Sequence, residues 1–259
     1  MLLTMDVGNT KVAVGAYDTE RQVAQWRLTT NSDRTEDELG LLLIQLLRHR
    51  GIDPEAVEGV AVASVVPPVL DLWKGAIDRY LNRPVWVVTH EVDLGLTIRY
   101  HRPYEVGADR LVNAFAAAEL VGLPAIVVDF GTATTFDAIS PEREYLGGAI
   151  LPGMQISLEA LVERTAQLPK IGWARPTRAI GQSTTEAIQA GIYFGTVGQV
   201  KEVTRRIRQE LGGEARVVAT GGLAPLIGPE LDEVDRVEPY LILDGLAAIH
   251  RRLRALGEW

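Results

Sequence analysis

The sequence predicts an α/β protein made of two domains of the same type. Along its 259 residues, apolar strands alternate with amphipathic helices. An apolar strand that ends in aspartate, followed by a glycine turn and a second strand, occurs at Asp6 and again at Asp129, about half of the chain later. Self-similarity at such a distance indicates tandem duplication. We therefore expect two closely joined domains, residues 1–115 and 116–259, each built on a mixed sheet, with a cleft between them.

The composition is that of a globular protein. With 47% hydrophobic and 23% charged residues, the chain can bury a core in both domains. No apolar run approaches the roughly 20 residues that a membrane-spanning helix needs, so no membrane association is expected. The absence of cysteine excludes disulfides and thiolate metal sites, and it fits a cytoplasmic location.

The charge distribution limits the possible ligands. The net charge is -8, and lysine and arginine do not cluster, so a nucleic-acid partner is not expected. The four histidines are scattered along the chain, which argues against a histidine-rich metal site. An anionic ligand would therefore need cations supplied locally, by a few side chains or by bound metal ions.

The first half is expected to have the element order β-β-β-α-β. A glycine-asparagine turn joins the first two strands. Thr35 and Glu38 have the spacing of a capping box, which predicts a helix that begins there and ends at Gly51. A nearly continuous apolar run indicates a central strand covered on both faces. The four strands are predicted at 2–6, 11–17, 25–30 and 60–66.

The second half repeats the opening pattern and then adds helices. The strand that ends at Asp129 is followed by glycine and threonine and by another strand that extends to Ile139. Later elements are predicted as a helix through Leu158 and Leu161, a helix at 184–211, a strand at 216–219 and a final helix at 241–256.

The two aspartate-glycine hairpins have the chemistry of a phosphate site. Glycine lets the backbone turn so that N–H groups point at an oxyanion, Asn and Thr side chains add donors, and the aspartate can hold a hydrated cation. One such turn alone most often only connects strands, but two copies and the late glycine pair Gly221–Gly222 favour nucleotide binding. In these elements the chain resembles the acetate kinase, sugar kinase and actin superfamily. The resemblance implies two duplicated ribonuclease H-like (actin-like ATPase) domains.

A more specific resemblance extends over nearly the whole chain. Five segments occur in the order that type III pantothenate kinases show, namely Glu105–Arg110, Val128–Thr135, Gly147–Gly153, Ser183–Ile188 and Ala219–Gly222. The resemblance implies ATP-dependent phosphorylation of pantothenate to 4'-phosphopantothenate, the first step of coenzyme A biosynthesis. It also implies a cytoplasmic homodimer that uses Mg²⁺ with ATP and a monovalent cation, K⁺ or NH₄⁺.

The same resemblance implies roles for individual residues. Asp109 matches the catalytic base, and Asp129 matches the ligand of the monovalent cation. Asp6 would hold Mg²⁺ through water. The positions that match ATP contacts are Asp6, Val7, Gly8, Asn9, Thr10, Lys11, Val12, Ala13 and Thr132. The positions that match substrate contacts are Tyr100, Gly107, Ala108, Asp109, Arg110 and Thr184. Lys11 and Arg102 depart from the residues usual in the family.

Local sequence adds to the interpretation of Asp109. It precedes an apolar-periodic helix, so its carboxylate is expected near a helix N-terminus, where it stays ionised. A strongly acidic carboxylate is a weak base, but phosphoryl transfer depends more on positioning than on basicity. The neighbouring Arg110 could meet either the substrate carboxylate or the transferring phosphoryl group. Asp137 is a further acid in the strand after the second hairpin, and the sequence assigns it no role.

Two other functions remain open on the sequence. A kinase for another small hydroxy acid or sugar would keep the phosphate hairpins but would not need the segment around Asp109. A non-catalytic nucleotide-binding regulator of the same fold is the second alternative. The presence of Asp6, Asp109 and Asp129 together weighs against that regulator, since a decayed site should lack at least one acid.

Overall fold

The computed structural model describes residues 1–19, 21–163, 172 and 174–259. The chain divides into two compact units. The first unit contains Met1–Leu96, His101–Ala116 and Leu241–Trp259. The second contains Thr97–Tyr100 and Ala117–Tyr240. Among the helices of these described residues, none is long and apolar enough to cross a membrane.

The first unit is built on a five-stranded mixed sheet with the order β3-β2-β1-β4-β5. β1 pairs antiparallel with β2 and parallel with β4, so it lies at the centre. The strands are β1 (Leu2–Val7), β2 (Lys11–Asp18), β3 (Arg21–Thr29), β4 (Gly59–Ser64) and β5 (Val85–Val87).

Helices cover the two faces of this sheet. Leu3, Met5 and Val7 point to one face and share a core with α1 (Glu36–His49) and α2 (Pro67–Leu81). The last helix, α7 (Leu241–Leu256), packs on β1, β2 and β4, and the Tyr17 hydroxyl donates to Asp244 Oδ1 at 2.6 Å. Burial and this hydrogen bond both raise the pKa of Tyr17.

The start of α1 follows the predicted capping box. Thr35 Oγ1 accepts a hydrogen bond from the Glu38 backbone N–H at 3.3 Å, and the Glu38 carboxylate accepts one from the Thr35 N–H at 2.8 Å. The helix ends at His49, and Gly51 follows with a left-handed φ of 71°. Side-chain hydrogen bonds therefore fix the start of this helix, and a glycine in a left-handed conformation follows its end.

The second unit has a six-stranded sheet with the order β11-β10-β7-β8-β9-β6. β7 pairs antiparallel with β8 and parallel with β10, as β1 does with β2 and β4. Five of its strands thus repeat the topology of the first unit, which confirms the predicted duplication. The strands are β6 (Thr97–Ile98), β7 (Ala125–Phe130), β8 (Ala133–Ile139), β9 (Glu144–Pro152), β10 (Arg216–Thr220) and β11 (Arg236–Val237).

Among the described residues, three helices lie within the second unit, and a fourth spans the division. The core joins Ile126, Val128 and Phe136 of the sheet to buried residues of α4 (Met154–Glu163), α5 (Thr184–Glu210) and α6 (Ala224–Ile227). α3 (Ala108–Val121) contains the division at Ala116. Short 3₁₀ turns occur at Pro54–Ala56, Pro103–Glu105 and Gly228–Glu230.

The C-terminal helix departs from the expected domain assignment. The sequence placed residues 241–259 in the second domain, but the structure includes Leu241–Trp259 in the first unit. The physical reason is that Leu243 and Leu246 of α7 are fully buried and the helix packs on the first sheet. Within α3, the division between the two units falls after Ala116.

Candidate active site

The first hairpin, which joins β1 to β2, has a three-residue loop, Gly8–Thr10. The Gly8 N–H donates to the Lys11 carbonyl at 3.0 Å, and the Thr30 hydroxyl donates to the Gly8 carbonyl at 2.7 Å. These bonds fix the loop against the end of β3, while Asn9 and Thr10 remain exposed. The loop therefore presents polar side chains on a rigid backbone.

The residues around this loop differ in what they can offer a nucleotide. Val7 and Val12 are fully buried in the core of the first unit, so only their backbone groups can reach a ligand. Asp6 is partly buried, and strand alternation directs it to the face opposite Val7. Lys11 is exposed, and its Nζ donates to Thr29 Oγ1 at 3.4 Å.

Asp109 lies in the first turn of α3, close to the ends of β1 and β4. The Arg110 backbone N–H donates to Asp109 Oδ1 at 2.8 Å. A Cβ at Gly107 would lie 3.4 Å from Val65 Cγ1, and the Val65 N–H donates to the Val7 carbonyl at 3.2 Å. The structure therefore brings the segment Gly107–Arg110 to the end of the sheet that carries the first hairpin.

The pKa of the Asp109 carboxyl is shifted in the direction opposite to the one that the sequence predicted. Burial raises the pKa of the Asp109 carboxyl above its ordinary value, and the backbone N–H and the charge of Arg110 oppose that rise. The sequence indicated a strongly acidic carboxylate at a helix N-terminus, but desolvation is the larger effect. A raised pKa makes the ionised carboxylate a better proton acceptor.

The second hairpin joins β7 to β8 with only two loop residues, Gly131 and Thr132. The Gly131 N–H donates to the Ala133 carbonyl at 3.0 Å. Gly153 packs against this loop so closely that a Cβ there would overlap the Thr132 carbonyl. The loop is thus held by a glycine at the start of α4, and Thr132 remains exposed.

Asp129 lies against the turn that contains the glycine pair Gly221–Gly222. Thr220 is its register partner across the parallel pair β7–β10. Gly221 follows with a φ of 89°, and a Cβ there would overlap Asp129 Oδ1 and lie 2.8 Å from the Phe130 carbonyl oxygen. Only glycine fits this position, and the turn forms a tight cradle around the carboxylate.

Tyr100 is partly buried beside β9 in the second unit. Its ring would lie 3.0 Å from a Cβ at Gly147, and its centroid is 6.4 Å from that of Tyr145. The Tyr145 hydroxyl in turn donates to Asp137 Oδ1 at 2.7 Å. The sequence did not indicate Tyr145; its position in β9, between two predicted motifs, was the available signal.

Thr184 is exposed at the first residue of α5. The preceding Ser183 caps the helix and accepts a hydrogen bond from the Glu186 N–H at 3.2 Å. The candidate residues therefore fall into separate groups. The first unit carries residues 6–13 and 107–110, and the second carries Tyr100, Asp129, Thr132 and Thr184.

The donor sets fit the cations that the sequence suggested. Within the described ranges, no three acidic or histidine side chains form a group that could hold a metal ion. A nucleotide-bound Mg²⁺ needs only one or two protein carboxylates, because phosphates and water complete its shell, so Asp6 suits it. The cradle around Asp129 offers a carboxylate and the nearby Phe130 carbonyl oxygen, which are ligands for a hard cation.

Comparison with solved structures defines the class of protein. A crystal structure of a protein described as a Baf family transcriptional activator from Campylobacter jejuni matches with a TM-score of 0.60 and 18% identity, over 98% of this chain and 99% of that one. An activator of 2-hydroxyisocaproyl-CoA dehydratase from Clostridium difficile, with ADPNP bound, matches with a TM-score of 0.51 and 12% identity, over 100% and 97%. At these identities the likeness shows the fold, which is that of the actin-like ATPases and sugar kinases.

Sequence comparison then gives the family. The family model for type III pantothenate kinase matches residues 2–206. A type III pantothenate kinase from Moorella thermoacetica is 48% identical over 252 residues, which cover 97% of this chain and 99% of the relative. The chain belongs to the type III pantothenate kinase family. It is a pantothenate kinase, which phosphorylates pantothenate with ATP in coenzyme A biosynthesis.

Proposed function

We propose that Asp109 is the base of this pantothenate kinase and that it accepts the proton of the substrate hydroxyl. The observation that carries the proposal is its environment. The carboxylate is partly buried at the end of the sheet next to the first hairpin, and burial raises its pKa. A base with a pKa nearer to neutrality takes up the proton more readily as the phosphoryl group transfers.

In the proposed step, the hydroxyl oxygen of pantothenate bonds to the γ-phosphorus of ATP. The bond between that phosphorus and the β–γ bridging oxygen breaks, ADP leaves, and the proton moves to a carboxylate oxygen of Asp109. Because the transition state is loose, Asp109 contributes mainly by orienting the hydroxyl. Arg110 is always cationic and meets either the pantothenate carboxylate or the transferring phosphoryl group.

The two hairpins hold the phosphates of ATP in this proposal. Within the segment Asp6 to Ala13, the loop residues Asn9 and Thr10 provide N–H groups and side chains, and Thr132 contributes from the second hairpin. Asp6 holds Mg²⁺ through water. When bound, Mg²⁺ neutralises charge on the β- and γ-phosphates.

Asp129 is proposed as the ligand of a monovalent cation, K⁺ or NH₄⁺. The glycine turn at Gly221 supports this role, since it packs directly against the Asp129 carboxylate and holds it beside the Phe130 carbonyl oxygen. A cation there would meet the demand for positive charge that an acidic protein has when it binds a polyphosphate.

Pantothenate is proposed to contact Tyr100, Gly107, Ala108, Arg110 and Thr184. Tyr100 supplies an aromatic wall, and Thr184 supplies a hydroxyl. The family resemblance implies a homodimer, and the exposed Thr184 is free to complete a site on the other copy. A monomeric variant that keeps its fold should then lose activity, and a fully active monomer would exclude the shared site. We propose a cytoplasmic location, where both substrates are available.

The experiment is ADP release from purified protein with ATP, Mg²⁺ and pantothenate, in potassium and in sodium buffer. It is run beside Asp109→Asn. The proposal expects turnover that depends on pantothenate and potassium and falls by about 10²–10⁴-fold in the variant. Turnover that survives the substitution would assign the base elsewhere, and equal turnover in both salts would remove the role of Asp129.

A further inference from the structure

The strand pair β8–β9 contains a buried polar pair that the proposed chemistry does not use. Asp137 and Tyr145 are both fully buried, and the tyrosine hydroxyl donates to Asp137 Oδ1 at 2.7 Å. A buried carboxylate is costly unless hydrogen bonds stabilise it. Two apolar side chains would fill the same space without that cost. The pair therefore needs an explanation beyond stability.

The ring of Tyr145 lies next to the ring of Tyr100. The two rings are tilted by 49°, with their centroids 6.4 Å apart. The backbone carbonyl of Tyr145 accepts a hydrogen bond from the Arg99 N–H at 2.8 Å, next to Tyr100 in the chain. Tyr145 thus holds both the main chain and the ring of the Tyr100 segment.

A bulge in β9 restricts the position of the Tyr100 ring. The register between β8 and β9 shifts after Ala138, so that Leu146 bulges out between Tyr145 and Gly147. Gly147 has a φ of 97° and leaves room for the Tyr100 ring, which would lie 3.0–3.1 Å from a Cβ at that position. The ring is therefore held between the backbone of Gly147 and the ring of Tyr145.

We infer that Asp137 and Tyr145 are positioning residues for pantothenate, which act by fixing the ring of Tyr100. The hydrogen bond sets the rotation of the Tyr145 ring, and that ring sets the plane of Tyr100. The inference rests on the proposed substrate contact of Tyr100. Under this inference, Asp137 and Tyr145 affect the affinity for pantothenate and do not affect the binding of ATP.

The test is steady-state kinetics with each substrate varied in turn. Tyr145→Phe removes the hydroxyl and keeps the ring, and we expect it to raise KM for pantothenate about fivefold, the worth of one hydrogen bond. KM for ATP and kcat should stay within about twofold. Asp137→Ala should behave like Tyr145→Phe, while Asp137→Asn, whose amide oxygen still accepts the bond, should restore a KM near that of wild type.

A matched control separates positioning from stability. Phe136 is the neighbour of Asp137 in β8, but it points to the opposite face and packs in the core with α5. Phe136→Leu should lower the melting temperature without a change in KM for pantothenate. If it raises that KM as much as Tyr145→Phe does, the pair is merely structural and the inference is wrong.

The variant Tyr100→Ala separates the test of this inference from the test of the proposed contact between Tyr100 and pantothenate. Because Tyr145 acts through Tyr100, the double variant Tyr100→Ala/Tyr145→Phe should have the KM of Tyr100→Ala alone. Effects that multiply would overturn the inference and leave the role of Tyr100 intact. No change in Tyr100→Ala would overturn that role and the inference together.

Discussion

A methyl group at Gly107 should damage catalysis and spare the fold. A Cβ at this position would lie well under 3.0 Å from Asp109 Oδ1, a separation that real Cβ atoms essentially never show. Its other near neighbour, Val65 Cγ1, would be at an ordinary 3.4 Å. The backbone of Gly107 is not in the left-handed region, so alanine can adopt its conformation. The flexible carboxylate must therefore be the group that moves.

The size of the effect follows from that displacement. The carboxylate has to shift by on the order of 1 Å, and a misplacement of this size can cost about 10²-fold in rate, or about 2.7 kcal/mol of activation free energy. Replacing glycine by alanine at a compatible position stabilises by about 0.4–1 kcal/mol through the unfolded state. We expect kcat to fall about 10²-fold, KM for ATP to be unchanged, and the melting temperature to hold or rise slightly.

The assay is ADP release at saturating ATP and pantothenate, with a thermal melt of the same sample. Gly191→Ala is the matched control, because among the described residues no atom outside the neighbouring turns of α5 lies within 4 Å of a Cβ at that position. A kcat of Gly107→Ala within about threefold of the control would refute the reasoning, since the reacting geometry would then not depend on where the Asp109 carboxylate lies.

Three further predictions concern charge, backbone conformation and capping. Burial raises the pKa of Asp109 in the folded state, so protonation of this carboxyl stabilises the fold. The gain in the free energy of unfolding is complete below the ordinary aspartate pKa, and it is lost as pH rises through the raised pKa. Asp109→Asn should therefore melt above wild type at neutral pH, by a margin that shrinks as pH falls, and equal melting curves across the range would contradict this. Gly221→Ala should destabilise by a few kcal/mol, from a left-handed backbone and from overlap with the Phe130 carbonyl. Gly212 has the same φ of 89°, and no described residue beyond its chain neighbours lies within 4 Å of a Cβ there, so Gly212→Ala should carry only the backbone cost of about 1–2 kcal/mol. Equal losses in denaturant titrations would exclude the overlap. Thr35→Ala should lower the free energy of unfolding by about 1 kcal/mol in the same titration, and an unchanged midpoint would mean that the capping box is not formed in solution.

Local signals predicted much of this fold. The capping box at Thr35 fixed the start of α1, and the final helix was predicted with its observed ends, Leu241 and Leu256. The two hairpins were found because glycine and aspartate leave a pattern at strand ends. The strand expected to reach Val66 ends at Ser64, because Pro67 and Pro68 begin α2. No helix had been assigned there, although proline at the first helical positions and the spacing of Val69, Leu70 and Trp73 were available signals.

Features that depend on tertiary packing could not be predicted from the sequence. The sequence could place Asp109 at a helix N-terminus, but only the packing around it determines that desolvation outweighs the neighbouring Arg110. The sequence noted Asp137 without a role, since the tyrosine that binds it lies eight residues away across a bulged strand pair. The domain of α7 also depends on packing, because its apolar face alone does not say which sheet it covers.

Because α7 belongs to the first unit, the order of synthesis affects how this unit folds on the ribosome. Every strand of the first sheet is translated within the first 87 residues, but the helix that packs on β1, β2 and β4 follows the whole second unit in the sequence. Residues 117–240 form the bulk of the second unit and are complete earlier. Although domains usually fold in order from the N-terminus, we expect the second unit to mature first here. The nascent first unit waits with one face of its sheet uncovered until α7 has been synthesised.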